Sequence, residues 1–170
     1  KVAQILGLGY PGGPAIAAAA RDGNPAAVPF ARSLLGSRSL DFSFSGLKTA
    51  ARYAVLGQQG RPPAAPVAAA DVAASFQMAV VDTLVEKCAR ALDATGWTSL
   101  IVGGGVAANR VLRERLEALA AARGIALAVA RPEFCTDNAA MVAALGCMLA
   151  AAGRPCADLT VDAAPDSRMP

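Results

Sequence analysis

The sequence predicts a helix-rich α/β fold, and three observations carry that prediction. Segment 67–94 repeats apolar residues at helical spacing over many turns. The apolar run Ser99–Val102 stops at Gly103-Gly104-Gly105, as a short buried strand feeding a turn would. A helical stretch at 107–123, the stop residue Gly124 and a second apolar run at 125–130 come next. Strand, helix and strand within about 30 residues make a β-α-β unit, whose strands lie parallel with a right-handed crossover.

The elements follow in order. A helical opening leads into Tyr10-Pro11-Gly12-Gly13-Pro14, where Pro11 presets a turn and Pro14 suits the first position of a helix over 15–21. Segment 22–39 is rich in Gly, Pro and Ser without a sustained period, so it reads as a surface loop with room for one short strand. Helical spacing returns at 44–55, with Leu47, Ala51 and Ala54 on one side and Lys48 and Arg52 on another, and 57–66 breaks it. In 67–94 the row Val72, Phe76, Val80, Leu84, Cys88 and Leu92 is the expected core face, while Asp71, Gln77, Glu86, Lys87 and Arg90 lie off it. Val111, Leu112, Leu116 and Leu119 form the apolar side of the helix at 107–123. Thr136 or Asp137 caps a last helix running to about 152, and the tail from 155 has no strong period. Two or three strands beside five helices make a poor layered core, because a parallel sheet needs several strands and cover on both faces. Strands are missing, and with an opening on Lys1 inside a helical segment this predicts a piece of a longer protein.

Composition narrows the chemistry. With 170 residues, 55% of them apolar and only 17% charged, the chain can bury one real core and is not intrinsically disordered. Its longest apolar stretch, 139–153, covers about 15 residues where a bilayer span needs roughly 20. The net charge of +3, from 16 basic and 13 acidic residues, suits a polyanionic partner but makes only a weak field. There is no histidine, so the commonest general acid-base group and zinc ligand are absent from any mechanism contained in these residues. Cys88, Cys135, Cys147 and Cys156 form no C-x-x-C pair and read as buried thiols of a reducing, cytoplasmic compartment.

Three segments can carry chemistry. Gly103-Gly104-Gly105 lies between a strand and the helix carrying Asn109 in its first turn, an arrangement that lets a nucleotide approach backbone N–H groups, though a plain tight turn has the same form. Asp137 sits at a helix start, where a simple cap also belongs, and a lone aspartate holds a metal poorly. Hydroxyls and a lysine cluster around Gly46 in DFSFSGLKT at 41–49; Lys48, with Arg52 one turn on, suits phosphate or nucleic-acid contact, although a capped helix with Lys48 in solvent is the commoner source of this composition.

Together, YPGGP at 10–14, DFSFSGLKT at 41–49, GGGVAANR at 103–110 and RPEFCTDN at 131–138 resemble, in that order, the TsaD family of tRNA threonylcarbamoyladenosine biosynthesis, once labelled glycoproteases. The resemblance implies an actin-like fold, shared with sugar kinases and heat-shock ATPases, in which two ribonuclease-H-like lobes flank a nucleotide cleft. Residues 1–170 then form a single partial domain, the C-terminal half. Gly13 and Asn109 match positions that contact threonylcarbamoyl-AMP or ATP, and Asp137 matches a ligand of a divalent metal, iron in many members. The other metal ligands, a His-x-x-x-His motif, and a Ser-Gly-Gly phosphate loop belong to the N-terminal half. The implied reaction moves the threonylcarbamoyl group from its adenylate to the exocyclic amine of the adenosine beside the anticodon in ANN-decoding tRNAs, with TsaB and TsaE as partners. This half alone is expected to be inactive, and no catalytic nucleophile or base stands out in it. Where the family ends in Pro-Arg-Trp-Pro, this chain has Ala163-Ala164-Pro165-Asp166-Ser167-Arg168. The alternatives are a non-catalytic nucleotide-binding or assembly module and, more weakly, a metalloprotease, which would need the H-E-x-x-H this sequence lacks.

Overall fold

The computed structural model describes residues 1–32, 35–36, 39–58, 61–63 and 65–154. The chain divides into two compact units, Lys1–Cys135 and Thr136–Pro170.

The first unit opens with two short helices, α1 (Val2–Ile5) and α2 (Gly12–Ala19). The helix expected to begin after Pro14 starts two residues earlier: Pro11, extended at φ −75° and ψ 140°, is the cap, so both glycines are helical. A short 3₁₀ turn, Ala20–Asp22, follows, and the loop after it carries no strand among its described residues. Polar groups of the long helix fasten that loop instead. Asp71 accepts from the Asn24 N–H at 2.7 Å, while the Ser75 hydroxyl accepts from the Val28 N–H and donates to the Asn24 carbonyl. Those three bonds tie the loop's backbone at Asn24 and Val28 to the long helix without a sheet. Farther along, Arg32 donates to Asp82 at 2.8 Å, and Arg115 reaches the same carboxylate from the other side.

Helix α3 (Ser45–Leu56) buries Leu47 and Ala51, as expected, and leaves Lys48 and Arg52 exposed. Helix α4 (Ala69–Thr95) is the spine of the unit. Its first half packs with α1, α2, α3 and Phe30 around Val72, Ala73 and Ala79, with Phe30 edge-on to Phe76 at 6.3 Å. Its second half packs through Val81 against Leu112 and Leu116. The helix is therefore wrapped on more than one face, and the expected core row is only partly buried: Val72 and Leu92 are covered, while Phe76, Val80, Leu84 and Cys88 are half-buried. Lys87, expected on the polar side, is 1% exposed. Its ammonium donates to the Ser39 carbonyl, a loop partner that helical periodicity does not register.

Past the left-handed Gly96 come β1 (Ser99–Val102), a 3₁₀ turn at Gly105–Ala108, α5 (Arg110–Arg123) and β2 (Ala126–Val129). The strands pair in parallel, Ser99 opposite Ala126 and Val102 opposite Val129, which is the β-α-β unit the sequence predicts. This two-stranded sheet is the one sheet among the described residues. β1 is not the buried strand its composition suggests: Leu100 and Val102 pack on α4 and α5, whereas Ile101 is 84% exposed. The helix of the unit also begins later than expected, because Asn109 lies outside it as the cap.

In the second unit, α6 (Ala139–Ala151) is apolar nearly all round and buries none of its residues. Its cap is Asn138, whose carboxamide oxygen accepts from the Met141 N–H at 3.0 Å, in place of the expected Thr136 or Asp137. The tail read from 155 onward, Cys156 included, lies outside the described residues. No helix among the described residues is long and apolar enough to cross a membrane.

Candidate functional site

A cavity of about 810 Å³ opens where the two cores of the first unit meet. One wall is the expected core row of α4, Phe76, Val80, Leu84 and Cys88, which explains why that row is half-buried. Facing it are β1 and the turn after it, through Val102, Gly103 and Ala107; α2 contributes Gly12 and Gly13, and α3 contributes Phe44, just before it, and Lys48. The site sits at the carboxyl end of a parallel strand, where open α/β folds bind ligands. Its lining is largely apolar, with Lys1, Lys48, glycine backbone and the Cys88 thiol as its polar elements, a composition that suits an aromatic base with an anionic group attached.

The glycines at the site do different work. Gly104 has φ +85°, a backbone that side chains resist, so it lets the strand turn sharply into the 3₁₀ segment. Gly13 has ordinary helical geometry, and a Cβ there would meet nothing within 4 Å. Packing does not demand glycine at 13; the missing side chain leaves space inside the cavity.

Asn109 does not line the cavity, although its neighbours Val106 and Ala107 do. Its Oδ1 accepts from the Leu112 N–H at 3.1 Å, capping α5, and its Nδ2 donates to Oε1 of Gln77 on α4 at 2.9 Å. Arg113, one turn on, holds the same turn from behind. Its Nε donates to the Ala107 carbonyl, and its Nη2 donates to the Ala130 carbonyl at 2.7 Å and contacts the Cys135 sulfur at 3.3 Å. Sequence reasoning assigned neither Gln77 nor Arg113. Gln77 was read as one polar residue off the apolar row, and nothing local in the sequence distinguishes it, because its partner lies 32 residues away.

Of the residues expected at the site, the structure therefore brings Gly13 and Lys48 to one cavity with Gly103, places Asn109 on the adjoining turn, and leaves Arg52 on the exposed face of α3. Asp137 is exposed in the second unit. Among the described residues no three His, Cys, Asp or Glu side chains gather as a metal site, so Asp137 would be one ligand of an incomplete set. The thiols also differ from one another. Cys135 is buried, Cys88 is half-buried with its pKa pushed above the ordinary 9.0 by burial, and Cys147, expected buried, is exposed on α6.

A family model for tRNA N6-adenosine threonylcarbamoyltransferases matches residues 1–144, which takes in the cavity, the glycine turn and Asp137. The chain belongs to this family. Two curated relatives carrying that enzyme name agree. One, from Aromatoleum aromaticum, is 50% identical over 154 residues, covering 91% of this chain and 44% of the relative. The other, from Desulfitobacterium hafniense, is 52% identical over 146 residues, covering 86% of this chain and 42% of its own length. The chain thus spans less than half the length of these relatives.

Proposed function

We propose that this chain is the C-terminal half of a two-lobed tRNA N6-adenosine threonylcarbamoyltransferase with an actin-like fold, and that it supplies one wall of the adenylate site. One observation carries the reading: three of the four family-like segments, 10–14, 41–49 and 103–110, meet at one cavity, at the carboxyl end of a parallel strand, with glycine backbone on two sides. The exposed outer face of β1 favours further strands contributed by residues outside this chain. It also supports treating residues 1–170 as part of a larger lobe.

In this reading, threonylcarbamoyl-AMP lies across the cavity with its base against the apolar wall of α4. Gly13 leaves room for the nucleotide, the Gly103–Gly105 turn offers backbone N–H groups, and Asn109 hydrogen-bonds the nucleoside. The exocyclic amine of the tRNA adenosine attacks the carbamoyl carbon; the new C–N bond forms, the C–O bond to phosphate breaks, AMP leaves, and the amine proton passes to solvent. The residues of this chain bind and orient, which alone removes much of the entropic barrier. Lys48 and Arg52, one turn apart on α3, contact the tRNA backbone, Lys48 from the cavity side. Asp137 contributes one carboxylate to a divalent metal, iron, whose other ligands come from outside this chain. TsaB and TsaE are the proposed protein partners.

The test supplies the full-length parent with threonylcarbamoyl-AMP and an ANN-decoding tRNA, and measures the modified nucleoside by mass spectrometry after digestion. Modified adenosine beside the anticodon is the expected product. Adenylate binding without transfer would instead identify a non-catalytic binding module. Ala replacement of Lys48 and Arg52 together should flatten the salt dependence of tRNA binding by roughly one to two units of log-log slope, and Arg52→Ala alone, outside the cavity, should do so by about one unit while adenylate binding persists.

A further inference from the structure

We propose that Gln77 is a positioning residue for Asn109, and that the pair presents the nucleoside with a hydrogen-bond donor. The inference rests on the assignment of Asn109 as a nucleotide contact and adds how that contact is aimed. Three facts lead to it. The Leu112 N–H at the start of α5 can only donate, so the atom it meets at 3.1 Å is the oxygen of the Asn109 carboxamide. The nitrogen therefore lies on the other branch, where it donates to Oε1 of Gln77 at 2.9 Å. A carboxamide nitrogen carries two hydrogens, and no described residue takes the second. That free N–H is left for a ligand, beside the second lone pair of Oδ1, and its complement is an acceptor, a ring nitrogen or a ribose oxygen.

Gln77 is 32 residues away in sequence, on the helix that forms the apolar wall of the cavity. α4 is packed into both cores, so the backbone from which Gln77 reaches is fixed. Without it, the cap bond to Leu112 would still hold the oxygen, but the plane of the amide could swing and the free N–H would sample several directions. With it, the donor is set before the ligand arrives, and binding does not have to order it.

The experiment measures threonylcarbamoyl-AMP affinity by calorimetry, and KM and kcat for transfer, on the full-length parent carrying Gln77→Ala, Gln77→Glu, Asn109→Ala, Asn109→Asp, and the Gln77→Ala/Asn109→Ala pair. Gln77→Ala should weaken adenylate binding about three- to tenfold, raising KM with little change in kcat. Gln77→Glu keeps an acceptor for the Asn109 nitrogen and should retain most of the affinity. Asn109→Asp keeps the cap but turns the ligand-facing donor into an acceptor, and should lose affinity by tenfold or more with its melting temperature preserved. In the Asn109→Ala background, Gln77→Ala should have no further effect. The positioning role is overturned if Gln77→Ala is silent in the wild-type background, or if its loss persists in full beside Asn109→Ala. An Asn109→Asp variant that binds like wild type overturns the donor. Should Asn109→Ala bind adenylate normally, the assignment of Asn109 itself fails, and the inference falls with it for that separate reason.

Discussion

Replacing Gly13 by alanine should separate a functional glycine from a structural one, because stability and binding are expected to move in opposite directions. Gly13 is the second residue of α2, with an ordinary helical backbone, and an added Cβ would meet nothing within 4 Å. Nothing in the packing resists the methyl. In helix interiors alanine is favoured over glycine by about 1 kcal/mol, and a first-turn position should gain part of that. Folding stability should therefore rise by a few tenths of a kcal/mol to about 1 kcal/mol, a melting shift of about 1 °C in a parent roughly twice this chain's length. The open space that tolerates the methyl, however, is the cavity itself. If the adenylate approaches the α2 backbone there, forcing a methyl against it should cost about 1–3 kcal/mol, as overpacking does in cores. That is a loss of roughly five- to hundredfold in affinity. Thermal melting of the full-length parent without ligand, followed by adenylate titration calorimetry, reads both signs. Unchanged affinity would refute the placement of the nucleotide against α2, and a lower melting point would refute the claim that position 13 is unconstrained by packing.

Further predictions follow from the same geometry. Arg113→Ala removes the guanidinium that joins the Ala107 and Ala130 carbonyls, so it should destabilise by about 2–3 kcal/mol in chemical denaturation; Arg113→Lys, a point charge without the planar fork, should recover only part of this. For Cys88, burial disfavours the thiolate, so the folded protein keeps the proton to higher pH than the unfolded chain. The stability due to that retained proton is complete below pH 9.0 and declines as pH rises from there through the raised folded value. At pH 8.5 iodoacetamide should accordingly label Cys88 more slowly in the folded protein than in urea, and adenylate should slow it further because Cys88 lines the cavity; mass-spectrometric labelling rates unaffected by adenylate would argue against the site. Asp137→Ala should leave folding stability within about 0.5 kcal/mol of wild type, since Asn138 rather than Asp137 caps α6, while lowering metal content and transfer in the parent; full metal occupancy by elemental analysis would remove Asp137 from the ligand set.

What the sequence made legible was whatever repeats or stops sharply. The β-α-β unit was visible because each of two short apolar runs adjoins a glycine stop, Gly103 after the first and Gly124 before the second, and Gly124 does end α5 in the left-handed conformation. The length of α4 was visible because its apolar spacing never breaks. Its orientation was not. Periodicity identifies an apolar face but does not reveal whether that face meets a core or a cavity, and the row from Phe76 to Cys88 meets a cavity. Lys87 was assigned to the surface because its partner is a backbone carbonyl 48 residues away, which no local pattern encodes. Two helix starts were misplaced: the cap of α6 by one or two residues, because Thr136 and Asp137 beside Asn138 are equally good cap types, and the start of α5 by three, because Asn109 was read as helical. At Asn109 and at Asn138 the asparagine oxygen accepts from the N–H three residues on. The site residues themselves came from motif resemblance, and the physical pattern added only that glycines and a helix start stood together.

The cavity is where the two cores of the first unit share a wall, and this bears on how a ligand would act. Gly13 and Lys48 belong to helices packed in the core around Val72, whereas Gly103 and Ala107 adjoin the core around Leu112 and Leu116. α4 serves both, since its cavity-facing residues continue directly into side chains buried in each. A nucleotide spanning the cavity would therefore touch elements held by different cores and would couple them through itself as well as through α4. Any ligand that binds only the folded state raises stability in proportion to the logarithm of its occupancy ratio, about 2.7 kcal/mol at a hundredfold excess over the dissociation constant. Here that gain should appear at both ends of α4, because separating either core from the shared wall opens the site. Hydrogen exchange would register it as matched protection of α2 and α5 amides on adding adenylate. Protection confined to one core would mean that the ligand occupies only that side, and the cavity would then be two adjoining surfaces and not a single site.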